Sequence, residues 1–119
     1  YPHVHWVPSV NGGAGTVVNW GLEYNFALIG GVFGNTTIIS ANAHTPVEDP
    51  LVADKQYITP LSTISGTGLT SVSAMICGRI FRDATGALGT DDYDADAGLL
   101  EIDFHYEIDS PGSREEYVK

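Results

Sequence analysis

Residues 16–26, TVVNWGLEYNF, alternate so that Val18, Trp20, Leu22, Tyr24 and Phe26 fall on one face with smaller or polar residues between them. A period of two over this length predicts a long half-buried β-strand, around which the rest of the chain is organised. Residues 1–7, YPHVHWV, alternate as well, with His3 and His5 on one face and Pro2, Val4 and Trp6 on the other. The glycine-rich turn SVNGGAG between the two runs predicts an antiparallel hairpin. Further strands are expected in GNTTIISAN, in QYITPLSTI, which Pro60 pushes to an edge, and in SVSAMICGRIF, where apolar groups on both faces suggest a central position. In the last strand Leu100, Ile102, Phe104, Tyr106 and Ile108 form the core face, while Glu101, Asp103, His105 and Glu107 are charged or polar.

No segment has helical periodicity over ten residues and there is no internal repeat. Six or so strands joined by Gly-rich turns predict an all-β chain: an antiparallel β-sandwich of jelly-roll type, with one domain over residues 1–109 and an extended arm over 110–119. The chain opens inside a strand, so an upstream part is expected.

Composition narrows the function classes. A length of 119 residues suits one core, and 43% hydrophobic residues with 14 Gly and 6 Pro suit a sheet protein with many turns. Five basic against fifteen acidic side chains give a net charge of −10, which disfavours contact with nucleic acid or an anionic membrane. No apolar run is long enough for a membrane-spanning helix. Cys77, the single cysteine, excludes an internal disulfide and reads as a small buried hydrophobe.

The candidate chemistry is sparse. His3 and His5 lie two apart on a strand and could offer two imidazoles to one metal ion, with a third ligand from His44 or His105. In a three-fold assembly, one such pair per subunit would surround the axis with six nitrogens; ordinary strand histidines are the plainer reading. A cupin-like enzyme also starts from His-x-His, but the carboxylate its motif requires is missing from residues 9–15. Asp91, Asp92, Asp94 and Asp96 cluster oxygen ligands as a calcium loop would, without the Gly and Glu spacing of an EF-hand, so a solvated acidic loop is expected. Neither a phosphate-binding glycine loop nor a nucleophile elbow occurs. Core packing accounts for Trp20, Tyr24 and Tyr106, leaving Trp6 and Tyr93 as rings on which a sugar could stack.

YPHVHWVPS, TVVNWGLEYNF and LLEIDFHYEIDSPGSREEYVK, in that order, resemble virion structural proteins of tailed bacteriophages. The resemblance covers most of the chain through strand motifs. It implies a non-enzymatic virion component, often a trimeric β-sandwich, without specifying head decoration, head fibre or tail appendage. Partners would be two further copies of the chain and other virion proteins such as the major capsid protein. The arm, where Arg114 lies near Tyr117 and Val118, mixes charge and apolar groups as interface segments do. The expected function is therefore capsid decoration or stabilisation with no required cofactor. Receptor or glycan binding by a fibre is the alternative, and a cupin-like metal enzyme the weakest.

Overall fold

A computed structural model gives the fold and describes residues 1–43, 50–69 and 73–106. Six strands are present among them: β1 (Pro2–Pro8), β2 (Val18–Ala27), β3 (Thr37–Ala43), β4 (Tyr57–Pro60), β5 (Met75–Arg82) and β6 (Ala97–Phe104). The described residues contain no helix. His44, Val72, Ile108 and the arm with Arg114, Tyr117 and Val118 lie outside them.

The strands form two antiparallel three-stranded sheets, ordered β4-β1-β6 and β3-β2-β5, which makes the chain all-β and sandwich-like. The alternation of β2 places Val18, Trp20 and Leu22 inward, and β1 contributes Val4 and Trp6 from the other sheet. Leu51, Tyr57, Leu61 and Tyr93 complete the core. At roughly 1.5–3 kcal/mol for each large apolar side chain removed from water, these residues dominate the stability of the domain.

The expected β1–β2 hairpin does not form. The two strands belong to opposite sheets, and residues 9–17 carry the chain from one to the other. In one sheet Trp6 and Trp20 would lie side by side; across the interior their rings pack with centroids 6.2 Å apart. Gly15, at φ +79°, supplies a left-handed turn on the way. Strand β5 is likewise an edge and not central, with its first five residues exposed. Cys77 is therefore exposed rather than buried.

The last strand departs from simple alternation. His5 faces Glu101 while Trp6 faces Leu99, so a bulge at Leu100 removes that side chain from the regular pattern and leaves it 54% exposed. Ile102 packs against the core as expected. Phe104 and Tyr106 do not, and Tyr106 is 80% exposed, because the described sheets part at this end of the sandwich.

Candidate functional site

Strand β1 divides its side chains cleanly. Its even-numbered residues are buried and His3 and His5 are half-buried on the opposite face, as the alternation predicts. Antiparallel pairing with β6 then sets His3 opposite Asp103 and His5 opposite Glu101. The histidine Nε2 atoms lie 3.5 and 3.4 Å from the same Asp103 oxygen, Oδ2, while Glu101 Oε1 is 3.9 Å from His5 Nε2. His105 completes a row of imidazoles, its ring edge-on to His3 at 4.7 Å. On the other side Gln56, just before β4, places its amide 2.7 Å from His5 Nδ1. Among the described residues, His3, His5 and Asp103 are the set of three donors placed closely enough to share an ion.

No protein-family model, curated protein or solved structure matches the chain. Its chemistry must be read from its own side chains.

A second feature lies where the sheets part. A cleft of about 570 Å³ opens there, lined by Phe26, Ile64, Leu69, Ile76, Phe104 and Tyr106 among others. None of its described lining residues is Asp, Glu, Lys or Arg. His105 stands on its rim, whereas His3 and His5 face outward from the sheet and do not line it.

The aspartate-rich loop is the expected solvated run at Asp92, Asp94 and Asp96, which are exposed, but not at Asp91. Arg82, at the end of β5, grips Asp91 through Nε to Oδ2 at 2.8 Å and Nη2 to Oδ1 at 2.5 Å. The same guanidinium donates to the carbonyls of Tyr93 and Ala95. Asp91 also accepts the Asn19 amide, and Asp92 Oδ1 accepts the amide of Val17 at 2.6 Å. Asp91 and Asp92 thus hold the loop to the start of β2, and no three-donor set among the described residues includes either of them, Asp94 or Asp96. Burial pushes the Asp91 carboxyl up, but the Arg82 and Asn19 hydrogen bonds outweigh it and hold the group below the usual range. Asp83 is also held low, by the Thr85 hydroxyl and then the Leu88 amide.

The two rings left open for sugar stacking are both buried. Tyr93 is buried, its hydroxyl accepting from Val10 N and donating to Val10 O, and so ties the loop to the β1–β2 connection. Trp6 is fully buried and its indole N–H donates to Thr59 Oγ1 at 3.0 Å. Neither offers an exposed face.

Sequence reasoning found the histidine pair but missed Asp103, Glu101, Gln56 and Arg82. The alternation of β6 already put Asp103 and His105 on one polar face. Which residue of β1 that face would meet depends on register, which neither strand encodes alone.

Proposed function

We propose that the chain is a non-enzymatic structural subunit of a tailed-bacteriophage virion, a jelly-roll-like sandwich that forms a trimer and packs against neighbouring shell proteins such as the major capsid protein. The observation that carries this reading is the cleft between the parted sheets. In a chain with fifteen acidic side chains, a cleft whose described lining includes Phe26, Ile64, Leu69, Ile76, Phe104 and Tyr106 and no Asp, Glu, Lys or Arg is an apolar surface of the kind that meets a partner. Like-charged copies can meet there without bringing carboxylates together, and apolar burial supplies the attraction. The strand motifs that resemble phage virion proteins support the same setting.

Sedimentation of the purified chain tests the assembly: a trimer is expected, and a monomer at high concentration overturns it. A reconstruction of the intact particle tests the location. Copies on the shell support decoration, and copies confined to a tail or fibre tip contradict it.

A further inference from the structure

We infer that His3, His5 and Asp103 form a binding site for one first-row divalent cation of the zinc type, contained within a single chain. The inference does not depend on the proposed role in a virion.

The register creates the site. His3 and Asp103 are direct partners across β1 and β6, and His5 lies one pair further along the same face. Asp103 therefore stands between the two imidazoles, with Oδ2 at 3.5 Å from one Nε2 and 3.4 Å from the other. A tetrahedral ion with bonds of roughly 2.0–2.1 Å separates its ligand atoms by about 3.3–3.4 Å, so the His5–Asp103 edge has the required length and the His3–Asp103 edge, at 3.5 Å, is slightly long. The three donor atoms lie within 4.8 Å of one another, and small rotations of the rings close the remaining edge.

His5 carries the second, independent observation. Its Nε2 is buried and has no hydrogen-bond partner. At 3.4 Å, the Asp103 oxygen is further away than an N–H···O bond spans, but at the distance expected across a shared ion. The opposite ring nitrogen meets Gln56 at 2.7 Å. As placed, the Gln56 amide nitrogen is the atom nearest Nδ1; with the amide rotated by a half-turn its oxygen would accept from Nδ1–H and leave the Nε2 lone pair facing Asp103. Metal-bound histidines are held by outer partners of this kind.

Charge and donor type indicate the ion. Metal binding requires both imidazoles in the unprotonated form, and with that form bound the carboxylates of Asp103 and Glu101 supply the negative charge that a divalent cation neutralises. Two nitrogens and one oxygen suit zinc, cobalt or nickel, whereas calcium and magnesium take oxygen ligands. Glu101 or water would fill the fourth position. The bound ion would pin β1 to β6 beyond the bulge at Leu100, next to the end where the sheets part.

The test is titration of the purified chain with Co2+ and Zn2+, followed by visible absorption, calorimetry and the imidazole NMR signals, with Ca2+ and Mg2+ in parallel. One Co2+ per chain is expected, with the tetrahedral absorption displaced by Zn2+ and a melting temperature that rises with Zn2+. Gln56→Leu should weaken binding roughly 10–100-fold, as loss of an outer partner does, and His5→Gln or Asp103→Asn should weaken it further. Circular dichroism confirms that each variant is folded, and the isosteric Asp103→Asn keeps the test valid if His5→Gln is not. The inference is overturned if no Co2+ binds, if binding survives both ligand changes, if Ca2+ is preferred, or if one ion binds per three chains.

Discussion

Arg82 holds both carboxylate oxygens of Asp91, nine residues further along the chain, and the Asp91 side chain is only 2% exposed. This bidentate pair, with the Tyr93 and Ala95 carbonyls on the same guanidinium, makes residues 83–96 a fixed part of the sandwich. Arg82→Ala should therefore destabilise the domain by about 3 kcal/mol, because it leaves a buried carboxylate unpaired. Arg82→Lys keeps the charge but loses the fork and should fall between the two. Urea unfolding of the three proteins measures the order.

The same pair gives a pH dependence. Asp91 is held below its ordinary value in the folded state, so its contribution is fully present above the unfolded carboxyl pKa of about 3.9 and is lost as pH falls through the folded value. The difference in stability between the parent and Asp91→Asn should be constant near neutral pH and shrink below about pH 4. Thermal melts across pH 3–7 follow it, and a gap that widens in acid would contradict the assignment.

Trp6 and Thr59 join β1 to β4 inside the core through the indole N–H. Thr59→Val removes the acceptor with little change of shape and should cost about 1–3 kcal/mol, the penalty for an unpaired buried donor. Leu22→Ala opens a cavity in the opposite sheet and should cost about 2–5 kcal/mol. Denaturant titration of each variant, read at unchanged m-value, checks both.

Phe104 and Tyr106 line the cleft, whose described lining carries no Asp, Glu, Lys or Arg, and both are exposed in the single chain. Phe104→Ser and Tyr106→Ser should shift a trimer towards monomer while changing the circular dichroism little. Sedimentation over a range of concentrations measures the shift; an unchanged distribution would remove the cleft from the interface.

The sequence by itself determined that the chain is built of strands, and which face of β1 and β2 is apolar, because a period of two needs only neighbouring residues. It also put His3 and His5 together, and Pro60 correctly marked an edge strand. Tertiary structure alone decided that β1 and β2 belong to different sheets, since their alternation fits a hairpin and a sandwich equally well. It turned the expected central strand into exposed β5, because apolar residues on both faces do not say how many neighbours a strand has. It took Leu100 off the core face through a bulge that the pattern of β6 conceals. It also brought Asp103 to the histidines and Arg82 to Asp91, for pairing across strands and loops depends on register, and register is set only when both partners are folded together.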